Sequence, residues 1–171
     1  MRVLNKKIKT SNPKNIDSEI QRLIDYKFKN YDLLRFAFCH KSSSIDNYER
    51  LELLGDSVLR LVITDYLYNQ YENASEGDLS REIQNIVNKD QLAEIAFKMD
   101  LLKYLDYKNI RIEDINLKSS ISADILESLI GAIYLDGGYL VAKSFVLKIF
   151  YEELIIKKKI GTKDAKTLLQ E

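Results

Sequence analysis

Residues 49–59 read ERLELLGDSVL, and the spacing inside them decides how the chain folds. Leu51, Leu54 and Val58 recur at offsets of three and four, the rhythm of a helix with one buried stripe. Leu61, Val62 and Leu67 extend that stripe, with Asp65 interrupting it, and predict one long helix over about 47–72. Glu49, Glu52 and Asp56 fall at the same offsets, so the helix stacks three carboxylates on one face beside leucines that favour burial. Like charges at that spacing repel.

A second stretch, DILESLIGAIYLDGG (124–138), repeats the pattern. Asp124 and Glu127 lie three apart among Ile125, Leu126, Leu129 and Ile130, and Gly131 follows Glu127 by four. Gly55 stands beside Asp56 in the same way. A glycine on such a face lets another helix, or a ligand, approach closely. If the two acidic stripes face each other, each carboxylate pair about 5 Å apart repels by roughly 3 kcal/mol at an effective dielectric of 20. Several such pairs rival the roughly 5–15 kcal/mol that holds a domain together. Such a site persists by taking up protons or by binding cations. Oxygen ligands alone select a hard ion, Mg²⁺ or Mn²⁺, and a carboxylate cage around hard divalent ions suits phosphodiester hydrolysis. Acids at helical spacing are equally an ordinary solvated face, and spacing alone leaves both readings open.

The rest of the chain also reads as helical. It has one proline, Pro13, and six glycines, few breakers for 171 residues. IDSEIQRLIDYKF (16–28) and YDLLRFAFCH (31–40) predict two helices, the second capped by Asn30, followed by the turn-rich KSSSIDN (41–47). Ser75 and Asp78 mark a helix start, and KDQLAEIAFKMDLLKYL (89–105) continues the pattern. Residues 106–118 read as a surface connection. The acidic helix at 124–138 is expected to start at a serine cap and to end at Gly137-Gly138. YLVAKSFVLKIFYEELIIKKK (139–159) predicts a last amphipathic helix, its terminal KKK read as solvated. There is no strand alternation and no repeat, so the expected class is all-α.

Composition narrows the function. Lys+Arg and Asp+Glu both number 26, so net charge does not announce nucleic acid. A single cysteine, Cys39, excludes an internal disulfide and fits a reducing compartment. One cysteine and one histidine argue against a Cys/His zinc site. The segment MRVLNKKIKTSNPKN (1–15) is basic without an apolar core, and no apolar run approaches the roughly 18–20 residues that span a bilayer. A cytoplasmic protein with no membrane partner is expected.

ERLELLGDSVL closely resembles the signature segment of the ribonuclease III family, and DILESLIGAIYLDGG resembles that family's second acidic motif. EGDLS (76–80) and CHKS (39–42) are similar to its flanking motifs, in the same order and spacing. The resemblance implies a bacterial-type, all-α endonuclease domain over residues 16–157 that forms a homodimer. It implies Mg²⁺-dependent cleavage of double-stranded RNA to 5′-phosphate and 3′-hydroxyl ends with 3′ overhangs. It further implies a role in ribosomal RNA precursor processing, with messenger and transfer RNA as further substrates. Mg²⁺, replaceable by Mn²⁺, would be the cofactor, with no small-molecule cofactor. By position, Glu52, Asp56, Asp124 and Glu127 match the metal-binding acids, and Asp56 and Glu127 match the catalytic pair. Glu49 and Glu76 match acids that assist the site or contact RNA. Leu53 matches a dimer-interface position, although it reads equally well as core. Tyr48 and Ile83 depart from the family, which often has asparagine and arginine there, and His40 reads as structural rather than as a base. Residues 1–15 are expected to be a flexible basic terminus. The ending KDAKTLLQE (163–171) resembles the first helix of a double-stranded RNA-binding domain, so 158–171 are expected to be a linker and the start of that domain, truncated.

Two other functions compete. A non-catalytic RNA- or ribosome-binding module on the same fold would be expected to lose acids, and none is lost. A carboxylate-bridged di-iron protein would need Glu-x-x-His pairs, which the chain lacks.

Overall fold

The computed structural model describes residues 13–106 and 115–154, with side chains from residue 18 to 106 and from 120 to 154. The named α-helices among the described residues are, in order, α1 (Pro13–Ile24), α2 (Tyr31–Ala37), α3 (Glu49–Gln70), α4 (Glu76–Ile86), α5 (Lys89–Lys98), α6 (Ile115–Gly137) and α7 (Tyr139–Ile149), and residues 151–154 are again helical. A 3-10 turn, Leu101–Tyr104, follows α5. No β-strand occurs among the described residues. One isolated bridge pairs Cys39 with Asp106 and ties the end of α2 to the end of that turn. The expected basic terminus over 1–15 and the linker over 158–171 lie largely or wholly outside the described residues.

The organising element is α6. From 121 to 133 every residue is buried except Asp124 and Glu127, which are half-buried. A helix apolar on nearly all sides belongs at the centre of a bundle. Accordingly α6 touches α2, α3, α5, α7 and the 3-10 turn. Its most extensive partner is α3, which buries Leu51, Gly55, Val58, Leu59, Val62, Ile63 and Leu67. Leu61, placed in that stripe by its spacing, is instead exposed.

The α3–α6 crossing depends on two glycines. A Cβ on Gly55 would overlap the carbonyl oxygen of Glu127, and one on Gly131 would overlap that of Leu51. The backbones therefore meet directly, and this contact draws the acids of α3 towards those of α6. Buried Ser128 ties α6 to the end of α2, donating to the carbonyl oxygen of Ala37 at 2.6 Å.

Several boundaries differ from the sequence reading. Helix α1 starts at Pro13, a residue suited to a first turn, and stops at Ile24 because Asp25 takes a left-handed conformation (φ 56°). The chain then folds back, and the Phe28 N–H donates to Gln21 Oε1 at 2.8 Å. Asp100 (φ 53°) similarly ends the helical run over 89–105. Helix α6 begins at Ile115, ahead of the serines expected to cap it. Helix α7 ends at Ile149, short of the predicted span. Asn30 and Ser75 do cap α2 and α4: their side chains accept from the N–H groups of Asp32 and Asp78.

Candidate metal centre

Glu52 reaches the site from the first turn of α3, and Asp124 and Glu127 reach it from one turn of α6. One carboxylate oxygen from each lies within 4.8 Å of the others, and all three residues are half-buried. This is the only such group of possible metal ligands among the described residues.

The electrostatics follow from that convergence. Burial pushes the Glu127 carboxyl up, and the charges of Asp56, Glu52 and Asp124 push it further, to about 7. Glu52 is raised by burial and then by Asp124. Asp124 is raised by burial, against the pull of Lys89. All three shifts have the sign expected where carboxylates lose water and face one another. A hard divalent cation removes both penalties together, so the oxygen-only donor set fits Mg²⁺ or Mn²⁺.

The other predicted acids stand around this group. Asp56 is near enough for its charge to raise Glu127, but its carboxylate accepts from Arg60 Nε at 2.9 and 3.1 Å. Glu49 lies at the edge and accepts from Lys41 Nζ at 3.2 Å. Glu76, on α4, is exposed and outside the group, accepting from Ser80 Oγ at 2.7 Å. Leu53 points away from the core and is 73% exposed, so it is not a core residue.

Three contributors were not picked out as site residues from the sequence. Tyr48, noted there only as a departure, is buried beside the acids, and its hydroxyl is pushed up by burial and by Asp124. Lys89, the first residue of α5, places Nζ 3.7 Å from Asp124 Oδ1. Lys41 pairs with Glu49. Only the tyrosine carried a signal, its difference from the family pattern. Lys89 lies far from Asp124 in sequence and meets it only through packing, whereas Lys41 precedes Glu49 by eight residues. Ile83, the other departure, packs against the core.

His40 fits its structural reading. It is buried, its Nδ1 accepts from the Ser42 N–H at 3.0 Å, and its ring packs edge-on against Tyr48. Burial lowers its pKa, with Lys41 adding to the effect.

The Ribonuclease-III-like family model matches residues 30–154. The Ribonuclease 3 of Borreliella afzelii is 44% identical over 163 residues, covering 90% of this chain and 66% of that protein. The Ribonuclease 3 of Shewanella oneidensis is 45% identical over 152 residues, covering 88% of this chain and 67% of that protein. The chain thus spans about two thirds of the length of these relatives. Among solved structures, the nuclease domain of a ribonuclease III from Campylobacter jejuni matches with a TM-score of 0.73 at 36% identity, covering 78% of this chain and 95% of that one. That structure is described for flexibility in a region involved in dimer formation.

Proposed function

Because the chain belongs to the ribonuclease III family and carries a nuclease domain of that kind, we propose that it cleaves double-stranded RNA by metal-dependent phosphodiester hydrolysis. The observation that carries this reading is the convergence of Glu52, Asp124 and Glu127, with Asp56 beside them, where α3 and α6 cross. These residues would hold the ion, Mg²⁺ with Mn²⁺ as its substitute. When bound, the ion supplies a Lewis acid that activates water and neutralises charge on the scissile phosphate. The protein's part is to hold the acids close together on rigid helices. Glu127, poised near neutrality by its surroundings, gives up its proton at little cost when a cation enters. Glu49 and Glu76 act at the periphery, towards RNA.

The products are 5′-phosphate and 3′-hydroxyl ends with 3′ overhangs, and the cellular role is processing of ribosomal RNA precursors, with messenger or transfer RNA as further substrates. The setting is cytoplasmic. In the described residues no helix is long and apolar enough to cross a membrane.

The working form is a homodimer. Leu53, Leu61 and Tyr68 are exposed along a side of α3 that begins next to Glu52 and also carries Ser57, Arg60 and Thr64. A two-fold pairing through Leu53 would present one acidic site to each strand of an RNA duplex.

Cleavage of an end-labelled RNA duplex at low salt, with and without Mg²⁺, tests this reading. Wild-type chain should cut only with Mg²⁺, and Glu127→Gln should lose at least roughly 100-fold in rate while remaining folded. Undiminished cleavage by that variant would overturn the assignment. Binding of duplex and ion without any cutting would favour a binding module.

A further inference from the structure

The acids at the α3–α6 crossing do not face one another alone. Lys89 opens α5 directly after Asn88, whose side chain accepts from the Gln91 N–H at 3.0 Å and fixes the start of the helix. Helix α5 packs along α6, so this cap sets where the lysine emerges. From there Nζ reaches to 3.7 Å from Asp124 Oδ1. The two partners differ in environment: the lysine side chain is 60% exposed and the aspartate 17%. The ammonium's charge favours the ionised form of all three converging acids, Glu52, Asp124 and Glu127.

We infer that Lys89 is a tethered counter-ion that occupies the acidic site in the absence of metal and competes with the divalent cation for Asp124. This rests on the metal-site reading above and adds a regulatory element to it. A half-buried carboxylate cluster without any cation repels itself. A single ammonium offsets part of that repulsion and keeps the acids together. It cannot remain when a divalent ion takes the same oxygen, because like charges would then share one ligand. A long, mostly solvated lysine can swing away at little cost. The contact at 3.7 Å is loose, as such an exchange requires. Lys143 and Asp65, by contrast, are both about one-third exposed and held at 2.5 Å, a pairing suited to a permanent tie between α7 and α3.

The test is calorimetric titration of Mn²⁺ into the metal-free chain at low salt, for wild type, Lys89→Met, Lys89→Arg and Glu127→Gln. Removing the competing charge should tighten Mn²⁺ binding roughly three- to tenfold in Lys89→Met. It should also lower the metal-free melting temperature, so that saturating Mg²⁺ raises it more than in wild type. Lys89→Arg should keep the wild-type affinity. An affinity of Lys89→Met equal to or weaker than wild type overturns the counter-ion role. Glu127→Gln separates this from the underlying reading. If it loses Mn²⁺ binding while Lys89→Met is unchanged, only the counter-ion role falls. If it binds Mn²⁺ as wild type does, the metal site itself falls. Lys89→Gln at the same exposed position provides a second neutral variant should the methionine perturb folding.

Discussion

The middle and the C-terminal end of α6 treat carboxylates in opposite ways. Near its C-terminus, Asp136 accepts from the Tyr26 hydroxyl at 2.7 Å and from the N–H groups of Lys29 and Asn30 at 2.8 Å each. Burial acts to raise its pKa, but these donors outweigh burial and hold it below the usual carboxylate range. Twelve and nine residues earlier, Asp124 and Glu127 are half-buried and face other acids, and both are raised. Asp136 is satisfied by the fold and fastens the α1–α2 connection to it. The other two face each other and Glu52 across the crossing, with Lys89 placing its Nζ 3.7 Å from Asp124. The same helix thus carries one acid lowered by its donors and two raised by burial, Glu127 by other acids as well.

Breaking the crossing that creates the difference should have the largest effect. Gly55→Val or Gly131→Val forces a branched side chain into the opposing backbone. A loss exceeding roughly 4 kcal/mol, with no cooperative melt by circular dichroism, is expected. A melt close to that of wild type would mean that the helices need not touch.

Removing the satisfied acid comes next. Asp136→Ala strands the Tyr26 hydroxyl and two N–H groups and should cost about 1–3 kcal/mol in thermal or urea unfolding. Asp124→Ala should show no such loss in the absence of metal.

Glu127→Gln sharpens the contrast by reversing its sign. The folded pKa of about 7 lies above the ordinary 4.5, so the folded chain binds a proton that the unfolded chain has lost. Stability from that proton is fully present below about pH 4.5 and is lost as pH rises to about 7. Glu127→Gln should therefore stabilise the metal-free chain by roughly 1–2 kcal/mol at pH 7.5, after allowance for partial solvation, and by little at pH 4. Urea unfolding at the two pH values checks this. An equal effect at both would remove the electrostatic account.

The smallest effect on the fold is expected at Leu53, which is exposed although Leu51 and Gly55 on either side of it are buried. Leu53→Ser should change monomer stability by no more than about 0.5 kcal/mol. Sedimentation should nevertheless show a weakened dimer. An unaltered dimer would place the interface elsewhere.

Local chemistry made much of this legible from the sequence. Helical periodicity over 49–70 and 124–137, the caps at Asn30 and Ser75 and the breaker at Gly138 all depend on residues within a turn of one another. So does the placing of Asp124 and Glu127 on one turn of α6. The inference that two acidic stripes meet was available because each carries a glycine at helical spacing. The helix ends at Asp25 and Asp100 were not readable, since an aspartate enters the left-handed region only when the chain beyond it has somewhere to pack.

What the tertiary structure alone decided is the fate of individual charges and of individual leucines. Leu51 and Leu53 are the same residue two positions apart, yet one is core and the other surface, and only the direction of α6 separates them. Asp56 and Glu127 are both acids of the family motifs, yet Arg60 one turn on takes the first and the carboxylates of the crossing surround the second. Lys89 lies 35 residues from Asp124 in the chain and meets it only because α5 packs on α6. Backbone geometry and short-range pattern are properties of neighbouring residues, so the sequence determined them by itself. Solvation and Coulomb energy depend on every group within several ångströms in space, and those neighbours exist only once the helices have packed.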